Sequence, residues 1–344
     1  MTLFMYCFLC LIAFCFTFIQ KKHVLNYVFV FFCLIGWSIV ARFNSIQQDL
    51  IVYSETMTYN WVFYKSLYVL REPIYWITSK ILYDFFKEPI FVFIIWDAII
   101  FSLLTYISYK KDVKPYFILV FILFFPNVMG FLNVYRQYIS TVFLFLSFLL
   151  VYENHIKSKF FYLASFLSHN VGAIFLPLIF IRKKFFQIKF ILASITSIFA
   201  MILLSGSKSE VDTGETSPLL FFAVICIGML IFLSLNKLIL YRKNIDLYYV
   251  NAHCMFVSLF SVLFLSNAPA KRICMIALIF LLYSIYWFIE DNKKNLLIFR
   301  FALVFIAIVP TFVFSSVFNM LLYIGVALLH KPICKGFFSD IIFK

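Results

Sequence analysis

Apolar residues fill the chain in long runs, at 2–19, 24–41, 88–108, 116–133, 138–152, 160–181, 188–205, 218–235, 247–266, 272–289 and 296–329. A helix rises 1.5 Å per residue, so a run of about 18 residues crosses a hydrocarbon core about 30 Å thick. Backbone groups in lipid must be bonded within their own segment, and these runs are too long and too evenly apolar for barrel strands. The pattern predicts an all-α polytopic integral membrane protein, with residues 1–344 as a single membrane domain. The last run is long enough for two helices broken near Pro310, which brings the expected total to about twelve transmembrane crossings. The one long polar connection, 42–87, ends in a stretch at 72–86 with the pattern of an amphipathic helix lying on the membrane surface.

Composition agrees with the pattern. Hydrophobic residues make up 65% of the chain and charged residues only 13%, which excludes water as the main solvent. The formal charge of +14 would suggest nucleic acid in a soluble protein. Here the basic residues stand in short clusters between apolar runs: Lys21-Lys22, Lys110-Lys111-Lys114, Lys157-Lys159, Arg182-Lys183-Lys184, Lys237-Arg242-Lys243, Lys293-Lys294, and Lys331 with Lys335. This is the positive-inside pattern of a multi-pass protein and implies no nucleic-acid partner. With these clusters in the cytoplasm, 42–87 and the acidic loop 205–217 fall outside. The first run ends at Gln20-Lys21-Lys22 with no small-residue cleavage site and reads as a retained helix. The eight cysteines lie in or beside apolar runs and read as packed or lipid-facing residues.

One run resists this sorting. A single crossing at 160–181 would put Lys157 and Arg182 on opposite sides. Breaking it at Ser168-His169-Asn170 into two short helices, which dip toward the outer face and return, removes the conflict. Polar residues at such a break must line protein or a water-filled cavity.

The outer face then collects Asp49, Tyr53, Arg71, Glu72, Arg136, Gln137, His169, Lys271 and Arg272 from four separate places in the sequence. Arginine is unexpected on that side. A guanidinium fork matches phosphate oxygens bidentately, and a nearby Asp, Glu or His can take a proton from an attacking hydroxyl, so the cluster suits a diphosphate leaving group. Asp97 lies mid-run and needs a partner such as Arg136 or Arg300, whereas His253 reads as a core histidine. Pro126 and Pro177 mark kinks. No phosphate-binding glycine loop or Cys/His framework is present, so no cofactor or metal is expected.

Four short motifs carry a resemblance. They are Asp49 followed by Tyr53 in 48–53, the Glu72-Pro73-Ile74-Tyr75 element, Arg136-Gln137 opening a run, and His169 in Ser168-His169-Asn170-Val171-Gly172-Ala173. In order and spacing, over about residues 40–182, they resemble the EpsG-type, Wzy-like polymerases of O-antigen and exopolysaccharide. The family's Gly-x-Asp lead is Gln47-Gln48-Asp49 in this chain.

The resemblance implies a glycosyltransferase in the bacterial inner membrane. It would move a glycan from undecaprenyl diphosphate to the terminal sugar hydroxyl of another lipid-linked repeat unit, at the outer face. In that scheme Arg136 and Arg272 hold the diphosphate and His169 or Glu72 is the base. Asp49, Tyr53, Arg71, Tyr75, Gln137 and Lys271 bind substrate. Implied partners are the lipid-linked oligosaccharides, membrane lipid and a chain-length regulator protein. Competing readings are a lipid-linked glycan flippase or transporter, an O-antigen ligase and a membrane acyltransferase.

Overall fold

The computed structural model describes residues 1–19, 21–44, 48–182, 187–203, 217–239, 245–291 and 296–322. Residues 205–216 of the acidic loop and the basic residues 183–184, 242–243, 293–294, 331 and 335 lie outside them. All described regular structure is helical. Helices α1 (Thr2–Thr17) and α2 (Val24–Asn44) lead into three shorter ones, α3 (Gln48–Met57), α4 (Leu67–Leu70) and α5 (Pro73–Phe86). Next come α6 (Pro89–Lys110), α7 (Pro115–Leu123), α8 (Phe125–Leu132), α9 (Tyr135–Leu150) and α10 (His155–Ser168). A 3-10 helix, Asn170–Phe180, precedes α11 (Ile188–Leu203), α12 (Pro218–Ile239), α13 (Ile245–Phe264), α14 (Asn267–Asp291), α15 (Leu296–Val313) and α16 (Ser315–Leu322).

Six of these, α2, α6, α12, α13, α14 and α15, are long and apolar enough to cross a membrane, and the bent pair α7 and α8 brings the number to 7. This corrects the expectation of about twelve. The reason is that apolarity reports burial, whether in lipid or in protein. Helix α9 has 16 residues, about 24 Å of helix, and nearly every side chain on it is buried against other helices. Helices α1 and α11 are equally short. The 18-residue window of α14 is 89% buried, which makes it a central post, whereas α12 is 22% buried and faces outward.

Proline sets several of the boundaries, since its fixed φ and missing N–H suit the first helical turn. Helices α5, α6, α7 and α12 each begin on one. Pro126 near the start of α8 accompanies the break at Phe124, where the chain is extended and α7 meets α8 at 63°. Pro177 lies in the 3-10 helix, which kinks at Phe175. The break expected near Pro310 falls four residues on: α15 runs to Val313, and the interruption is at Phe314, whose N–H donates to the Pro310 carbonyl at 2.9 Å.

The chain does leave its helical path at His169, which is extended (φ −161°, ψ 131°) between α10 and the 3-10 helix. Close packing of the two limbs requires glycine at 172, where a Cβ would lie 2.7 Å from Ser165 Oγ and 3.1 Å from the Phe166 backbone nitrogen. The hairpin brings Arg182 back beside His155, and both line a cavity of about 480 Å³ with Lys111, Tyr152, Glu153 and Asp246. Neighbouring contacts mark the same end of the bundle. Lys22 pairs with Asp112 at 2.6 Å, Lys111 pairs with Glu153, and Tyr152 donates to Asp246. Arg300 grips Glu290 through two nitrogens at 2.7 and 2.6 Å and donates to the Thr17 carbonyl at 2.9 Å. The described basic clusters thus gather at one end, as the positive-inside pattern requires.

Candidate functional site

At the opposite end, five elements converge. Helix α5 starts at Pro73, which leaves Glu72 outside the helix in a non-helical conformation (φ −137°, ψ 56°), with its carboxylate making no cap bond to its own helix. That carboxylate turns to the start of α9, where Oε2 accepts from Arg136 Nη1. Its other oxygen, Oε1, lies 3.9 Å from His169 Nε2 and accepts from the Asn170 N–H at 3.5 Å. One carboxylate therefore joins the α5 entry, the α9 entry and the tip of the hairpin.

Aromatic rings enclose the arginine. The Arg136 guanidinium carbon is 4.9 Å from the ring centres of both Tyr53 and Trp76, a cation–π arrangement on two sides. Tyr53 comes from α3, and its ring centre is 5.7 Å from those of Tyr75 and Trp76 on α5. Burial raises the Tyr53 phenol above its ordinary value, while the positive charges of Arg136 and Arg272 act in the opposite direction and Asp49 adds to the rise. Asp49 and Arg272 thus both lie within electrostatic reach of Tyr53.

The remaining positions are consistent with a cluster that spans α3, α5, α9, the hairpin and α14. The Asp49 backbone N–H donates to Asn133 Oδ1 at 3.2 Å, which ties the start of α3 to the turn before α9. Gln137 Nε2 donates to the Arg272 carbonyl at 3.1 Å, which brings the start of α14 to the same level. Lys271 is buried in the first turn of α14. Arg71, by contrast, is exposed at the end of α4, and among the described residues it makes no ion pair. It neighbours Glu72 in sequence but stands outside the buried cluster.

His169 has a defined proton arrangement. Its Nδ1 accepts from the Val171 N–H at 3.2 Å and caps the 3-10 helix. With one ring nitrogen accepting, the neutral ring carries its proton on Nε2, the atom that faces Glu72.

Several polar atoms here are buried without a hydrogen-bond partner among the described residues, namely Arg136 Nε, Gln137 Oε1 and Trp76 Nε1. Each costs about 1–3 kcal/mol if left so, and such groups call for a ligand or water. No group of three or more His, Cys, Asp or Glu side chains suited to a metal occurs among the described residues.

Sequence reasoning missed Trp76 and Asn133. Trp76 follows Tyr75 directly, and its signal was a second large aromatic one residue past the Glu-Pro element on a short helix. It also misplaced the partner of Asp97. Neither Arg136 nor Arg300 reaches it. Arg42, at the end of α2, makes the pair, Nε to Oδ2 at 2.8 Å and Nη2 to Oδ1 at 3.1 Å, with both side chains fully buried. Arg300 is committed to Glu290.

A multi-pass helical membrane protein with a buried, aromatic-walled cationic site at one end of its bundle is the class that this fold and geometry define. The EpsG family model matches residues 26–325, and the chain belongs to that family of membrane proteins of polysaccharide biosynthesis. The match extends well beyond the 40–182 stretch that carries the four motifs. Neither the curated proteins nor the solved structures contain a match to the chain.

Proposed function

We propose that the chain polymerises undecaprenyl-diphosphate-linked oligosaccharide repeat units at the outer face of the bacterial inner membrane. The acceptor hydroxyl oxygen bonds to the anomeric carbon of the donor glycan. The bond from that carbon to the lipid diphosphate breaks, and the diphosphate leaves with the electron pair. The hydroxyl proton passes to a base on the protein.

The observation that carries this reading is the set of orphaned polar atoms around Arg136. A fixed cation with an unsatisfied N–H, walled by aromatic rings at the end of the bundle away from the basic clusters, suits an anionic group with an attached sugar. Arg136 and Arg272 would bind the diphosphate, with Lys271 beside them. Tyr53, Tyr75 and Gln137 would contact sugar, with Asp49 at the α3 end and Arg71 at the rim.

Of the two base candidates, Glu72 fits better. His169 holds its lone pair toward the Val171 N–H and turns a protonated Nε2 toward Glu72, so in this state it donates rather than accepts. Glu72 Oε2 is occupied by Arg136 and becomes free when diphosphate takes the guanidinium fork. His169 then orients the carboxylate through its other oxygen.

The test is the surface-glycan ladder of a deletion strain complemented with wild-type protein or with Arg136→Lys, which keeps the charge and loses the fork. The expected result is single repeat units on a complete core in the deletion strain, and at least about tenfold less polymer with Arg136→Lys than with wild type. Accumulated lipid-linked polymer would make the protein a ligase, and loss of outward-facing lipid-linked units would make it a flippase. An unchanged ladder with Arg136→Lys would remove Arg136 from the chemistry.

A further inference from the structure

The buried pair Arg42–Asp97 has connections that a mere helix staple between α2 and α6 does not need. Asp97 Oδ1 accepts from Arg42 Nη2 at 3.1 Å and from the Tyr135 hydroxyl at 2.6 Å, while Oδ2 accepts from Arg42 Nε at 2.8 Å and Ser38 Oγ at 2.6 Å. Arg42 spends its remaining nitrogen, Nη1, on the Phe131 carbonyl at 2.9 Å. Its guanidinium carbon stacks 4.0 Å from the Phe131 ring centre and 4.5 Å from that of Tyr135.

Phe131 and Tyr135 stand on either side of the short turn that ends α8 and launches α9, and the next residue is Arg136. The turn is tight: a Cβ on Gly130 would lie 3.0 Å from Tyr138 Cβ, so α8 and α9 abut directly. Across the turn, Asn133 holds the start of α3. Taking two charges out of water is costly, and apolar residues of similar size commonly serve stability as well or better. The network has a geometric product instead, since it grips both sides of the one turn that aims Arg136 at Glu72.

Resting on the site proposed above, we infer that Arg42, Asp97 and Tyr135 are positioning residues for Arg136, holding its guanidinium between Tyr53 and Trp76 without touching substrate themselves. The sparest perturbation is Tyr135→Phe, which keeps the ring and removes one hydroxyl. Two measurements on the full-length protein decide the matter. The first is labelling of arginines by a dicarbonyl reagent, read residue by residue by mass spectrometry. Arg136 is protected in the wild type and should react about tenfold faster in Tyr135→Phe, the size expected for losing one hydrogen bond to a charged group, with exposed Arg71 unchanged. Ser38→Ala removes a bond from the other oxygen of the same carboxylate and leaves the Tyr135 bond in place, and should leave Arg136 protected. Equal acceleration in both variants would show general loosening and overturn the inference, as would protection of Arg136 in Tyr135→Phe.

The second is a double-mutant cycle on polymer output. Tyr135→Phe should lower output about tenfold alone and not further in an Arg136→Ala background, because both changes act through one group. Additive losses would overturn the positioning role. Full output from Arg136→Ala alone would instead sink the proposed site, and the labelling result would still judge the placement of Arg136.

Discussion

Two arginine–carboxylate pairs lie toward the same end of the bundle, and they differ in how completely they are satisfied. Around Arg42 and Asp97, both carboxylate oxygens are doubly bonded and all three guanidinium nitrogens have acceptors. Within the second pair, Arg136 and Glu72, Arg136 Nε is itself buried with nothing to bond among the described residues, whereas the orphaned atoms near the first pair, Trp37 Nε1 and Tyr138 Oη, belong to neighbouring rings and not to the pair. A closed network can only hold its surroundings in place. An open one retains capacity for something that is yet to arrive, and that is the physical distinction between scaffold and site.

The comparison breaks most readily at the closed pair. Asp97→Leu strands the Arg42 charge in the interior and should cost about 3–5 kcal/mol, visible as a large fall in the melting temperature of the purified protein. Adding Arg42→Met should restore most of that loss while polymer output stays low. A double variant with restored stability and full polymer output would show that the pair matters for stability alone.

At the open pair the order reverses. Glu72→Gln should lower polymer output about a hundredfold or more with a much smaller shift in melting temperature, as the proposed role of Glu72 in taking the hydroxyl proton requires. A melting loss as large as that of Asp97→Leu, with normal output per folded molecule, would make Glu72 scaffold. Trp76→Phe keeps an aromatic ring beside Arg136 and removes the unpartnered N–H along with part of the ring surface. Output should drop about fivefold, the worth of one ordinary hydrogen bond, and unchanged output would mark the indole nitrogen as idle.

The smallest effect belongs to a third pair, at the rim. Lys80 holds Asp84 at 2.9 Å, and Trp61 Nε1 donates to the same carboxylate at 2.8 Å. The hydrogen bond from Lys80, joined by that from Trp61, holds the Asp84 carboxyl below the usual range. Its contribution is therefore fully present above the unfolded value near 3.9 and is lost as pH falls through the lowered folded value. Asp84→Asn should shift the melting temperature only slightly at pH 7, as befits a partly exposed pair, and should flatten the melting curve's dependence on pH in the acid range. A shift at pH 7 comparable with that of Asp97→Leu would mean that exposure does not separate the three pairs.

Much of this was legible in the sequence. Composition and run length specify the helical membrane fold, and the conflict between Lys157 and Arg182 points to the turn at His169. The motif residues Tyr53, Glu72, Tyr75, Arg136 and His169 do come together. What could not be read was pairing across distance. Arg42 and Asp97 are 55 positions apart and share no local pattern, and Asn133 reaches 84 positions back to Asp49. The number of crossings could not be read either, because a helix such as α9 is buried on nearly every side by protein, and its apolar run looks the same as one facing lipid.

The hairpin at His169 has a consequence of length. Its outgoing limb, α10, has 14 residues, about 21 Å of α-helix, and its returning limb has 11 residues, about 22 Å at the longer 3-10 rise of 2.0 Å per residue. Wound as an α-helix the returning limb would have a path of only about 16 Å, whereas the 3-10 winding, bent at Phe175, carries the longer one. The looser winding thus gives two unequal runs of sequence similar path lengths. A residue inserted in or deleted from 170–180 would shift the tip, and with it the imidazole, by a fraction of a turn relative to Glu72.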